Sequence, residues 1–245
     1  MSRRESRKAS RRELRREALV TKKGKREFEE VVLAKPVVPQ NQFQSELLDA
    51  IKTKQVVFTD APAGCGKTFV ITSTVIDALK SGKIEKIILS RPAVGMGSSL
   101  GLLPGGLREK FEPYLMPIVD VITQRYGKGF YECQVGNGNI EFVPLEYLRG
   151  RSFNDAIVIV DEFQNTTPDE AYSIMTRLGE TSQMFCMGDT NQHDMRGESG
   201  LDWATDFIYR HQLFEFAALV DGESDDIVRS GFCKAIVKAM ESEKS

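Results

Sequence analysis

Residues 61–68 read Ala-Pro-Ala-Gly-Cys-Gly-Lys-Thr, after the apolar run Val56, Val57, Phe58 and before Phe69, Val70, Ile71. A strand, a glycine-containing turn and a helix in that order make a phosphate-binding loop. Its backbone N–H groups and the positive end of the helix would surround the phosphates of a nucleoside triphosphate. The expected binding stretch is Ala61, Pro62, Ala63, Gly64, Cys65, Gly66, Lys67, Thr68 and Phe69. Lys67 would reach the β- and γ-phosphates, and the Thr68 hydroxyl would ligate Mg2+. Ala61 stands where the full pattern has its first glycine, a place that alanine can fill only at negative φ.

Two further runs end in groups that could work on such a ligand. Ile157, Val158, Ile159 and Val160 lead into Asp161 and Glu162. At the carboxyl end of a parallel strand, these acids would face the crevice where open α/β sheets bind ligands. Asp161 could hold Mg2+, directly or through water. Glu162 could act as general base on the attacking water. Met184, Phe185, Cys186 and Met187 lead into Gly188, Asp189, Thr190, Asn191 and Gln192. Gln192 could sense the γ-phosphate or position water, and a plain Gly-Asp turn is the bland alternative.

The elements that must carry these groups are legible as a rhythm. Apolar runs recur at 56–59, 87–89, 140–143, 157–160, 184–187 and 213–217, with helical stretches at 67–80, 107–124, 168–178 and 199–210. Helical spacing also begins near Phe43 and continues through Leu47, Leu48 and Ile51. Strands alternating with helices predict an α/β fold, a mainly parallel sheet with helices on both faces. Gly136, Asn137, Gly138 and Asn139 between short β-prone runs predict a small hairpin inserted over 129–143. A strand near 86–90 falls in sequence between the phosphate loop and Asp161, the order of the additional-strand branch of P-loop ATPases.

Bulk properties bound the rest. The 245 residues hold 41% apolar and 28% charged residues, as a globular chain does. No apolar run is long enough to cross a bilayer and the N-terminus lacks an apolar signal core, so neither a membrane nor secretion is expected. Four cysteines (Cys65, Cys133, Cys186, Cys233) form no close pair, which fits a reducing cytoplasm better than a zinc or disulfide framework. His193 and His211 are too few for a metal site. The net charge of −2 hides an asymmetry, because residues 1–26 carry twelve Lys/Arg against three Glu. A basic arm over residues 1–35, expected to be disordered, could draw a polyanion to an acidic domain spanning 36–245. Tyr131, Tyr147, Phe153 and Phe163 are candidates for base stacking, although most such aromatics belong to cores.

Together the motifs resemble the PhoH family, single-core relatives of superfamily 1 helicases. The matching stretches are Ala61 to Thr68; Ser90, Arg91, Pro92, Ala93 and Val94; Gly101 to Gly105; Pro144 to Arg151; Asp161 to Thr167; and Gly188 to Gln192. Departures are Ala61 for glycine, Cys65 for a more usual threonine, Phe163 where alanine is typical and His193 where an aliphatic residue is common. The resemblance implies a RecA-like core with ATP and Mg2+ as ligands, acting on RNA or single-stranded DNA. It implies that Gln44 reads the adenine edge, with Gln42 as a rival, and that Arg91 meets the nucleic-acid backbone. It also makes Arg229 the choice for an arginine finger, with Arg149 and Arg151 as runners-up. A lone core lacks the second lobe of a helicase, so a head-to-tail homo-oligomer is expected, a hexamer by analogy. Gly95, Gly97, Ser98 and Ser99 are the candidate loop for its channel. An ATP-dependent switch or scaffold without unwinding is the alternative reading. A vestigial ATP site and a kinase are less favoured.

Overall fold

The computed structural model describes residues 34–93 and 107–244. The basic arm (through residue 33) and the candidate channel loop lie outside the described residues. Helix α1 (Gln42–Thr53) starts at Asn41, whose side chain accepts from the Gln44 amide. Strand β1 (Val56–Asp60) leads through the phosphate loop to α2 (Lys67–Lys80), and β2 (Lys86–Ser90) follows. After α3 (Leu107–Phe111) and a 3-10 turn, α4 (Met116–Gly136) runs to β3 (Ile140–Phe142). Then come α5 (Leu145–Leu148), β4 (Ala156–Val160), α6 (Pro168–Met175) and β5 (Gln183–Gly188). The described chain closes with α7 (Gly200–Arg210), β6 (Ala217–Asp221) and α8 (Gly231–Lys244).

The six strands form one sheet in the order β3-β2-β4-β5-β1-β6, with every pairing parallel. Side chains alternate between its faces, as the pleat requires. Val57, Leu89, Ile157, Ile159 and Phe185 join α1, α2 and α4 in one core. Phe58, Ile88, Val158, Val160 and Met184 join α6 and α7 in the other. Burial on both faces explains why these strands read as continuous apolar runs. In space, β5 is the strand inserted between β1 and β4, whereas the strand near 86–90 pairs on the far side of β4. Among the described residues, no helix is long and apolar enough to cross a membrane.

Two local expectations are corrected. The inserted hairpin is absent: after a kink at Gly127 (φ 81°) the chain is helical again to Gly136, and β3 pairs parallel with β2. Gly136 to Asn139 instead caps the helix, with Asn139 N–H donating to Gln134 O and Gly138 N–H to Val135 O, Gly138 standing at φ 77°. This is the Schellman arrangement, for which Asn-Gly serves as well as for a hairpin turn. Tyr131 decides between them by burying its ring in the core. The last strand begins at Ala217 rather than at Leu213. Leu213 N–H is taken by Ile208 O to close α7, and Phe214 and Phe216 stay exposed.

Candidate nucleotide site

The phosphate loop leaves β1 at Ala61 and enters α2 at Lys67. Gly64 and Gly66 hold φ of 100° and 94°, a region in which side chains are strained. At Gly66 a Cβ would also lie 2.6 Å from Gln44 Nε2. The loop is gripped from behind. Gln44 is buried and donates to Cys65 O at 2.8 Å, while its amide oxygen accepts from Gln40 N–H. Val228 N–H donates to Gly64 O, Gly222 N–H to Asp60 O, and the Cys65 thiol lies 3.5 Å from Glu223 O. Ala61 is buried against Gly222, which explains why a methyl is tolerated there. Lys67 Nζ folds back to donate to Ala61 O and, at 3.3 Å, to Pro62 O. Burial pushes the Lys67 pKa down, and Asp189 is the strongest pull in the other direction.

Across the cleft, β4 ends in Asp161 and Glu162. Burial, aided by the charge of Glu162, raises Asp161 to about 6. Glu162 sits at φ 55°, left-handed for a non-glycine residue. One of its oxygens accepts from Gln164 Nε2 at 2.6 Å, and the other lies 3.8 Å from Arg91 Nη2. Gln164 is fully buried, and its amide oxygen accepts from Asp189 N–H. Asp189 in turn accepts from Asn191 N–H and from Gln192 Nε2, the latter at 2.5 Å. Asp60, at the end of β1, accepts from both the backbone and the hydroxyl of Thr190. A chain of hydrogen bonds thus ties the ends of β1, β5 and β4 together.

The phosphate loop, Asp161, Glu162, Asp189 and Gln192 line one cleft of about 610 Å³. Lys67, Thr68 and Phe69 form its floor and rim; Asp161, Glu162 and Gln192 face them. Arg91, Arg229 and, from the first turns of α4, Pro117 and Asp120 add to its wall. Among the described residues, no three His, Cys, Asp or Glu side chains converge as a protein-only metal site. The donors present suit Mg2+ all the same: a hydroxyl from Thr68 and a carboxylate from Asp161, with phosphate oxygens to complete the shell.

Several expected groups fall elsewhere or in unexpected company. Gln44 lies behind the loop with both amide ends in use, so reading adenine would require a change of partners. Gln42 points outward to Glu46. Arg229 enters the cleft of its own chain, with its stem packed over Gly64. Arg149 pairs with Glu170 at 2.9 Å. Arg151 makes a bidentate pair with Glu141, which this contact and Lys86 hold down to about 2. Tyr131, Phe153 and Phe163 are core residues, and Tyr147 alone of the four stacking candidates is exposed. Sequence reasoning missed Gln164 and Asp60. Asp60 carries the same signal that marks Asp161, an acid closing an apolar strand.

Known proteins resemble this chain at two levels. The family description "PhoH-like protein" matches residues 26–241. The PhoH-like protein of Bacillus subtilis (strain 168) is 41% identical over 202 residues, 82% of this chain and 62% of that protein. Protein PhoH of Escherichia coli (strain K12) is 38% identical over 208 residues, 83% of this chain and 58% of that protein. The chain therefore spans about three fifths of the length of these curated relatives. A solved structure, the large terminase of a thermophilic bacteriophage in complex with ADP, superimposes with a TM-score of 0.50 at 11% identity. That match covers 85% of this chain and 50% of the terminase, and it is a likeness of fold. Sequence family, P-loop geometry and sheet order agree, and the chain belongs to the PhoH-like protein family.

Proposed function

We propose that the chain is a Mg2+-dependent ATP hydrolase that acts on RNA or single-stranded DNA as a head-to-tail oligomer. The observation that carries this reading is the meeting of Lys67, Thr68, Asp161 and Glu162 in one cleft. Thr68 and Asp161 would hold Mg2+, which would supply charge neutralisation on the phosphates. Lys67 exchanges the Ala61 and Pro62 carbonyls for phosphate oxygens. Glu162 orients the water for in-line attack and takes its proton, while Gln192 reports the γ-phosphate. Arg229 reaches the transferred phosphoryl in cis, so a neighbouring subunit would add a wall rather than this cation. Residues 36–245 serve as one catalytic domain, and the basic arm draws the polymer to it. Four free thiols suit a cytoplasmic location.

The test is steady-state ATP hydrolysis by wild type and Lys67→Ala, with and without single-stranded RNA or DNA. Wild type should exceed the variant by about a hundredfold or more, the scale of losing one preorganised charge at a phosphoryl group, and a polymer should raise it several-fold. Activity indifferent to both polymers would favour an ATP-dependent switch or scaffold. Equal rates for wild type and Lys67→Ala would remove the hydrolase reading.

A further inference from the structure

Arg91 leaves the end of β2, and β2 pairs with β4 so that Ser90 lies opposite Val160. The residues that follow, Arg91 and Asp161, therefore emerge side by side. Arg91 Nη1 donates to Tyr114 O at 3.0 Å, which anchors the guanidinium against the turn before α4. From that anchor its Nη2 reaches one oxygen of Glu162, while Gln164 holds the other. Gln164 cannot swing freely, because its own oxygen accepts from Asp189 N–H. One oxygen of Glu162 is thus hydrogen-bonded by Gln164, and the other lies within ion-pair distance of Arg91. The Gln164 partner is buried, whereas the Arg91 and Glu162 side chains are 26% and 32% exposed. The Arg91 side of the clamp is the accessible one, and Arg91 lines the same cleft as Lys67 and Asp161.

We propose that Arg91 is a positioning residue that restrains Glu162 in an idle orientation, and that a phosphate of the bound polymer releases it by taking the guanidinium. This rests on the hydrolase reading above. A guanidinium fork binds phosphate oxygens at least as well as a carboxylate held at 3.8 Å. Freed on that side, Glu162 keeps only its Gln164 contact, and its other oxygen becomes available to a water in the cleft that it lines. One residue then couples the polymer to the rate of hydrolysis, without a second lobe to carry the signal.

Arg91→Gln tests this, because it keeps a polar side chain but removes the charge and withdraws from Glu162 and Tyr114 O alike. Measured with no polymer, its kcat should rise about threefold, the factor a partly exposed ion pair is worth. The KM for ATP should stay within error, and RNA or single-stranded DNA should add little further. Arg91→Lys, which retains a cation, should return kcat toward wild type. A thermal melt confirms that each variant is folded, and Arg91→Ala substitutes for Arg91→Gln if the latter is not. A fall in kcat would make Arg91 a stabiliser of phosphoryl charge and overturn the restraint. An unchanged kcat with lost stimulation would make it a polymer contact alone, and overturn it too. A rise in a protein whose wild type ignores both polymers would keep the restraint and overturn its release. If wild type and Lys67→Ala hydrolyse ATP equally, the hydrolase reading has failed instead.

Discussion

The phosphate loop and the carboxylate edge are made by the same device, a parallel strand ending in polar residues, and they are held in opposite ways. The loop is fixed through its backbone: Gly64 O, Cys65 O and the carbonyl of Asp60 just before it all have partners from distant segments. Its side-chain support, from Gln44 and Ala61, is buried. The carboxylate edge is fixed through side chains, and Glu162 and Arg91 remain partly exposed. A phosphate cradle has to be preorganised, since its donors are amides that act only when aligned. A general base, the role proposed for Glu162, has to change partners during turnover. The difference in support matches the difference in task.

The largest effect that would test this comparison lies at Asp161. Its folded pKa of about 6 stands above the ordinary 3.8, so ionising it in the folded chain is unfavourable. The stability it contributes is whole below about pH 4 and is lost as pH rises through about 6. About two pKa units correspond to roughly 3 kcal/mol. Asp161→Asn should therefore stabilise the nucleotide-free protein by up to about that amount at pH 8, and by little at about pH 4. Hydrolysis should be lost at either pH. Melting curves of both proteins at the two pH values check it; an Asn variant that melts lower at the alkaline pH would mean that Asp161 is not the strained member of the edge.

A smaller effect is expected at the rigid end. Gly66→Ala places a methyl at φ 94° and against Gln44 Nε2. The left-handed backbone alone costs roughly 1–2 kcal/mol, and displacing Gln44 frees the carbonyl of Cys65. A loss of about 2 kcal/mol in stability and of about tenfold or more in ATP affinity should follow. Denaturant titration and nucleotide binding measure the two separately. If affinity falls and stability does not, the loop is less firmly held from behind than its contacts imply.

How far these regions are legible in sequence follows the range of the interactions that build them. The loop, the Asp161 strand and the sheet class are readable because each rests on near neighbours in the chain. The Asn-Gly turn after α4 misleads because that dipeptide caps helices as readily as it closes hairpins, and only the distant packing of Tyr131 separates the two. Gln44 meets Cys65 across 21 positions, and Arg229 meets Gly64 across the sheet edge. No local pattern announces such partners. Arg91 reads as a polymer contact because its motif says nothing of strand order. It is the adjacency of β2 and β4 that sets it beside Glu162.

The smallest effect concerns the thiol in the loop. Cys65 is buried, and that burial pushes its pKa to about 11. Cys186 is buried among the strands and is raised as well, whereas Cys133 is exposed on α4. Alkylation proceeds through the thiolate, so at about pH 8 Cys133 should label readily and Cys65 and Cys186 should not. ATP turnover should then survive treatment almost unchanged. Mass spectrometry of the labelled peptides locates the modification. If Cys65 were to label at the rate of Cys133, the loop would be opening on the timescale of the reaction. The contrast between a fixed cradle and an adjustable base would then have to be drawn as one of rates, with both regions mobile.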